Sequence, residues 1–285
     1  MTPEFALIQN YFTGHDQGPG VVLGIGDDAC LLELPPGHQL VVSTDTQVAG
    51  THFWADQPPI TIGHRALATA LSDLAAMGAD PLGFVLALTL PDHNPGWAEQ
   101  CARGVRGLAE QMSIPWVGGD TTRGPLSLTV TVMGQVPVGQ ALRRSGARVG
   151  DWLVVSGDLG GAAAALWLEQ QRRAVGAEPT LAGDPLLERL FWPQPRMRLG
   201  QCLRGRAHAA IDLSDGLLAD LGHVCRASGC GAHLDAEAIP IDWRLADWPR
   251  TERLRAAFST FHHRSARTSF FRCMDCIDSG FRIRC

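Results

Sequence analysis

The chain has 285 residues, 45% of them hydrophobic and 19% charged, enough apolar material for a substantial core in about two domains, which excludes a disordered chain. All 24 cationic side chains are arginine, set against 29 acids for a net charge of −5, and no basic run stands out before residue 250, which argues against a nucleic-acid partner. No stretch of about 18 apolar residues and no basic-then-apolar leader is found, so no membrane partner is expected and the cytoplasm is the expected location.

In chain order, Val21-Val22-Leu23 and Ala29-Cys30-Leu31-Leu32 read as short strands flanking the turn Gly24-Ile25-Gly26-Asp27-Asp28. Gln39 to Thr44 reads as a strand and Gly63 to Met77 as a helix. A strand at Ile114-Pro115-Trp116-Val117 leads into the flexible run Gly118-Gly119-Asp120-Thr121-Thr122-Arg123-Gly124. Leu126 to Val136 alternates apolar and polar residues at period two, the mark of a half-buried strand. After a turn-rich connection at residues 145–151 come a strand from Trp152 to Ser156, a helix through Ala162 to Gln171, a Pro-rich turn at residues 192–195 and a helix to about Arg204. The strand Ala209-Ala210-Ile211-Asp212 and a helix from Leu217 to Ser228 follow. This is α/β or α+β organisation, with domains expected at 1–148 and 149–257 and an atypical tail at 258–285. The eight cysteines are scattered rather than arranged as a secreted framework, so reduced thiols are expected.

Five aspartate clusters in Gly-, Ser- and Thr-rich surroundings carry the chemistry: Gly26-Asp27-Asp28, Ser43-Thr44-Asp45-Thr46, Leu71-Ser72-Asp73-Leu74, Gly118-Gly119-Asp120-Thr121-Thr122 and Asp212-Leu213-Ser214-Asp215-Gly216. Carboxylates with neighbouring hydroxyls are the hard oxygen ligands that Mg²⁺ takes, and Mg²⁺ usually holds a nucleotide through its phosphates. Phosphoryl transfer or ATP-dependent synthesis is the reaction class expected. Three of the clusters also have a plain structural reading. Asp27 and Asp28 suit a hairpin turn, Asp45 suits a helix N-cap, and Ser214 or Asp215 suits the cap of the following helix. Asp73 is the lone acid of a nearly apolar helix, so it needs metal, an arginine or backbone donors as partner. The loop Gly157-Asp158-Leu159-Gly160-Gly161 lacks the spacing of a P-loop or a dinucleotide fingerprint and reads as structural.

In order and wording, these motifs resemble the thiamine-monophosphate kinase family, a branch of the superfamily that includes aminoimidazole ribonucleotide synthetase, selenophosphate synthetase and the hydrogenase maturation protein HypE. The resemblance rests on Gly24-Ile25-Gly26-Asp27-Asp28-Ala29, on Ser43-Thr44-Asp45-Thr46 with Gly50-Thr51-His52-Phe53, on Leu71 to Ala79, on Gly118 to Thr122, on Arg144-Ser145-Gly146-Ala147 and on Ile211 to Leu217, and it covers roughly residues 5 to 245. It implies a two-domain aminoimidazole ribonucleotide synthetase-like fold whose first domain lends strands to a barrel across a homodimer. It also implies phosphorylation of thiamine phosphate to thiamine diphosphate with ATP as co-substrate and Mg²⁺ as cofactor. Metal ligands would be Asp28, Ser43, Thr44, Asp45, Asp73, Asp120, Asp212 and Asp215; nucleotide contacts would be Gly119, Asp120, Arg144 and Ser214; His52 would contact the substrate. No acid or base is assigned, Asp120 and Asp212 acting through metal.

The family pattern continues past residue 250 with a Ser-Gly-Gly-Asp/Glu-Asp-Tyr-Glu-Leu segment. This chain from about Phe258 turns instead to a run rich in Phe, Arg and Cys, which reads as a frameshifted or foreign tail. Cys273 and Cys276 with His262 and His263 have irregular spacing for zinc. Loss of the last strands would expose a sheet edge and lower solubility. Two alternatives to the kinase stand beside it: a nucleotide-binding remnant without activity, and a related ATP-dependent synthetase.

Overall fold

A computed structural model describes residues 11–92, 94–178, 184–258 and 269–274. The chain divides into two compact units, Met1–Leu74 with Ala79–Gly139 and Ala75–Gly78 with Gln140–Cys285.

The first unit opens on a two-stranded antiparallel ribbon of β1 (Val21–Leu23) and β2 (Leu31–Leu32). Its main sheet comprises β3 (His38–Val48), β4 (Asp80–Leu90), β5 (Trp116–Arg123) and β6 (Ser127–Pro137) in the order β3-β6-β4-β5. β6 is antiparallel to both neighbours, whereas β4 and β5 run parallel. The period-two pattern of β6 appears as strict alternation of buried and partly buried side chains, with Leu128, Val130 and Val132 inward. Among the described residues, the helices α1 (Pro59–Ala76) and α2 (Pro95–Met112) accompany the sheet. α1 begins earlier than Gly63 because Pro59 has the φ of a first helical turn and its missing N–H is not needed there. At the start of α2, the Asn94 side chain accepts from Trp97 N at 3.0 Å, while Ser113 adopts a left-handed conformation at its end.

One expectation is corrected here. Gly118 to Thr122 is not a loop after a strand but the body of β5 itself, paired residue for residue with Val85 to Thr89 of β4. Gly119 permits that pairing, because a Cβ there would drive into the Leu86 carbonyl oxygen.

The second unit has a three-stranded sheet in the order β7-β9-β8, formed by β7 (Trp152–Val155), β8 (Ala207–Leu213) and β9 (Ser269–Met274). β9 is antiparallel to both partners, so a stretch that reads as foreign tail supplies the middle strand. The α-helices among its described residues are α3 (Gly161–Ala174), α4 (Pro185–Phe191), α5 (Met197–Leu203), α6 (Leu217–Ser228) and α7 (Arg250–Phe258). Leu153, Ile211 and Leu213 of the sheet pack with Leu217, Leu221 and Val224 of α6 in one apolar cluster. Apart from the backbone of β9, which includes Cys273, the residues His262, His263, Cys273 and Cys276, irregularly spaced for zinc, lie outside the described residues.

Candidate functional site

The pleat of β3 sorts the Ser43-Thr44-Asp45-Thr46 cluster onto two faces. Ser43, Asp45 and Gln47 face inward toward α1, where Arg65, Thr69 and Asp73 follow one another at a spacing of four and so share one side of the helix. Ser43 Oγ donates to Asp73 Oδ2 at 2.7 Å, and Gln47 Nε2 donates to Thr69 Oγ1 at 3.1 Å. Arg65, 2% exposed, donates from Nη2 to the His52 carbonyl at 2.8 Å and feels the charge of Asp45. Burial pulls its pKa down to about 10 while Asp45 pulls it up. A polar seam thus runs between two otherwise apolar elements, and half-buried Asp73 has a hydroxyl as one partner. Thr44 and Thr46 lie on the other face, where their hydroxyls meet those of Thr131 and Thr129, each at 2.9 Å. The structure therefore brings Ser43, Asp45 and Asp73 to one face and sets the Thr44 side chain on the opposite one.

His52 lies in the turn just after β3. Its Nδ1 accepts from Val48 N at 3.0 Å, so in the neutral ring the proton is on Nε2. With its own carbonyl held by Arg65, the residue is fixed from both sides.

A second grouping surrounds a cavity of about 1030 Å³, lined by Gly24 to Cys30, by Val85 to Ala87 and by Trp116 to Thr121. Asp28, Gly119 and Asp120 meet there. Asp16 Oδ2 accepts from Ile25 N at 3.0 Å and steadies the Gly24-Ile25-Gly26 turn, and Asp28 N donates to Asp27 Oδ1 at 2.8 Å. The cavity wall is stiffened by Trp116, whose ring lies 4.9 Å from that of Phe12 and 5.4 Å from that of Phe84, and whose Nε1 donates to Gly118 O at 3.0 Å. Register sets Thr46, Thr129, Ala87 and Asp120 in one row across the sheet. Because β6 and β4 intervene, the β3 and β5 clusters stand roughly 14 Å apart at ordinary strand spacing. Among the described residues, no three His, Cys, Asp or Glu side chains gather closely enough to hold a metal by themselves.

In the second unit, Asp212 is the penultimate residue of β8 at 4% exposure, and Ser214, Asp215 and Gly216 form the turn into α6. The sequence reading omitted Asp220, one turn into that helix. Its Oδ2 accepts from Ser214 N at 2.8 Å and from Asp215 N at 3.0 Å. Burial raises its pKa, partly offset by those two amides. Asp215 is exposed and does not cap the helix, since Gly216 occupies the cap position and makes no side-chain bond. Arg144 is exposed, on a segment whose Arg143 carbonyl accepts from Ala210 N at 2.8 Å. Asp16, Arg65, Thr129, Thr131 and Asp220 all escaped notice because each acts through a partner that sequence spacing does not reveal. For Asp220 alone there was a visible signal, an acid shortly after Ser-Asp-Gly.

Residues 26–136 match the family described as AIR synthase related protein, N-terminal domain, and residues 148–259 its C-terminal domain. The thiamine-monophosphate kinase of Salmonella typhimurium is 48% identical over 238 residues, which are 83% of this chain and 73% of that protein. The chain belongs to the thiamine-monophosphate kinase family. The crystal structure of the Stenotrophomonas maltophilia K279a thiamine-monophosphate kinase is similar at a TM-score of 0.82 and 44% identity, covering 95% of this chain and 83% of that one. A structure of AaThiL complexed with AMPPCP and TMP is similar at a TM-score of 0.75 and 25% identity, covering 91% of this chain and 83% of that one. Membership in this kinase family brings nucleotide use with it, and the two family domains account for the mixed α/β architecture. No helix among the described residues is long and apolar enough to cross a membrane.

Proposed function

We propose that this chain transfers the γ-phosphoryl group of ATP to thiamine monophosphate, forming thiamine diphosphate and ADP. The observation that carries this reading is the inward row of Ser43, Asp45 and Asp73, a hard-oxygen donor set held by the 2.7 Å bond between Ser43 and Asp73. The likeness to AaThiL complexed with AMPPCP and TMP supports it from outside the chain.

The donors fit Mg²⁺, whose further ligands would come from phosphate and water, as expected where no all-protein cage exists. When bound, Mg²⁺ neutralises the triphosphate and the charge that develops on it. Asp28 and Asp120, on the Gly119 cavity, are proposed ligands of a separate Mg²⁺, since the register sets Asp120 in the row of Thr46 rather than on the face of Ser43, Asp45 and Asp73. Asp212 and Asp215 are proposed for the second unit, and Thr44, its hydroxyl engaged by Thr131, is proposed through its backbone.

Gly119, exposed beside Asp120 on the cavity, is proposed to contact the nucleotide, while Arg144 and Ser214 donate to it. His52 presents Nε2–H to the phosphate of thiamine monophosphate. In the transfer, an oxygen of that phosphate attacks the γ-phosphorus as the bond to the β–γ bridging oxygen breaks, and ADP leaves with the electron pair. The acceptor phosphate has a second pKa of about 6, so at neutral pH it needs no general base. A homodimer is proposed on the outer face of β3, an edge strand where Leu40 and Val42 are 51% and 54% exposed beside Thr44 and Thr46. Incubation with ATP, Mg²⁺ and thiamine monophosphate should release ADP and thiamine diphosphate in equal amounts; ADP released without thiamine diphosphate would refute the acceptor.

A further inference from the structure

In the second unit, one helix touches both segments assigned to the nucleotide. At its beginning, Asp220 of α6 gathers the Ser214 and Asp215 amides onto one carboxylate oxygen at 2.8 and 3.0 Å. At its end, the Ser228 hydroxyl accepts from Gly146 N at 3.2 Å and Ala147 N at 3.1 Å, and donates to Arg144 O at 3.1 Å. One hydroxyl thus uses its donor and both acceptor sites on the Arg144-Ser145-Gly146-Ala147 segment. Gly146 fits this geometry, with φ +119° and a backbone so close to the His208 carbonyl that a side chain would strike it. Eight residues separate Asp220 from Ser228, about 12 Å along a helix, and between them Leu221 and Val224 anchor α6 in the apolar cluster.

We infer that α6 is a strut that sets the spacing between Arg144 and the Ser214-Asp215 turn, with Asp220 and Ser228 as positioning residues for nucleotide binding. The inference rests on the proposed contacts of Arg144 and Ser214 with ATP. Neither strut residue needs to reach the ligand. Ser228 acts on the backbone that carries Arg144, and Asp220 on the backbone that carries Ser214. An ordinary helix terminus would satisfy its last carbonyls within its own turn or with water. α6 does so, with the Gly229 and Cys230 amides on the Cys225 carbonyl, and in addition its last side chain holds a segment more than eighty residues earlier in the chain.

The test is calorimetric affinity of the full chain for Mg-ATP and, separately, for thiamine monophosphate. Ser228→Ala should weaken Mg-ATP about tenfold, the loss expected for a misplaced contact worth about one hydrogen bond, while affinity for thiamine monophosphate stays at the wild-type value. Ser228→Thr, which retains the hydroxyl, should restore Mg-ATP binding. Asp220→Leu should weaken Mg-ATP as well, and Asp220→Asn, with an acceptor oxygen in place, should not. Arg144→Ala separates the two levels of the proposal. If it loses Mg-ATP affinity while Ser228→Ala keeps it, the strut is refuted and the nucleotide reading stands; if Arg144→Ala binds Mg-ATP as the wild type does, the assignment beneath the strut falls too. Equal weakening of both ligands by Ser228→Ala would also overturn the inference, since it would mark a general structural loss.

Discussion

Ser43 Oγ donates to Asp73 Oδ2 at 2.7 Å, linking the middle of β3 to the last turns of α1 across thirty residues of sequence. The bond places a hydroxyl and two carboxylates, those of Asp45 and Asp73, on one face. It also offsets part of the cost of holding an acid in a helix otherwise lined by Leu67, Leu71 and Leu74. A hydrogen bond to a charged group contributes about 1.5–3 kcal/mol. Ser43→Ala should therefore lower unfolding free energy by about that amount in urea titration, and should raise the Mg²⁺ concentration needed for half-maximal activity.

Arg65 bears on substrate rather than on metal alone. Its guanidinium is buried, its pKa is brought down to about 10, and it grips the His52 carbonyl at 2.8 Å. The depressed value leaves the group charged at neutral pH, and the burial penalty on the charge eases only as pH rises from about 10 toward the ordinary value of 12.5. No stability change between pH 6 and 9 should come from it. Lysine keeps the charge but not the planar fork. Arg65→Lys should raise KM for thiamine monophosphate by about fivefold to tenfold, as displaced positioning groups do, with KM for ATP nearly unchanged in steady-state kinetics.

Gly118 and Gly119 are adjacent but not equivalent. A Cβ on Gly119 would penetrate the Leu86 backbone, whereas one on Gly118 would meet only a Val85 methyl at 3.2 Å, a side chain that can give. Gly119→Ala should cost about 2–3 kcal/mol, the upper range for overpacking, and should pry β5 from β4. Gly118→Ala should cost less than half as much. Thermal unfolding of the two variants side by side checks the order.

Cys101 of α2 is 1% exposed, and burial pushes its thiol pKa up to about 12, so almost none is thiolate at pH 8. Cys202 is exposed. Iodoacetamide at pH 8 should modify Cys202 within minutes and leave Cys101 intact until denaturant is added, as read by peptide mass spectrometry; early modification of Cys101 would show that α2 opens locally.

Local periodicity made much of this fold legible. The alternation of Leu126 to Val136 marked β6 because alternate side chains enter the core, and α6 was bounded correctly at Leu217 and Ser228 because Gly216 and Gly229 flank it. Gly118 to Thr122 misled because glycine and hydroxyl residues suit loops, while the parallel partner that makes a strand of them lies some thirty residues away in β4. The acids of the site stood out by composition, and family wording supplied their roles. What gathers them did not stand out: Thr131 lies 87 residues from Thr44, and Ser228 lies 82 residues from Gly146. Such pairs are products of topology, which spacing along the chain does not encode. β9 was hidden for another reason, since Ser269-Phe270-Phe271-Arg272-Cys273-Met274 has no alternation to mark a strand.

Transfer of the γ-phosphoryl group from labelled ATP to thiamine monophosphate is to be measured with Mg²⁺ for the wild-type chain and for Asp120→Ala. The wild type should yield labelled thiamine diphosphate, and the variant should lose it by a factor of about a hundred or more, the scale of removing one electrostatic contributor to catalysis. No label in thiamine diphosphate from the wild type, or equal label from both proteins, would contradict the proposed transfer.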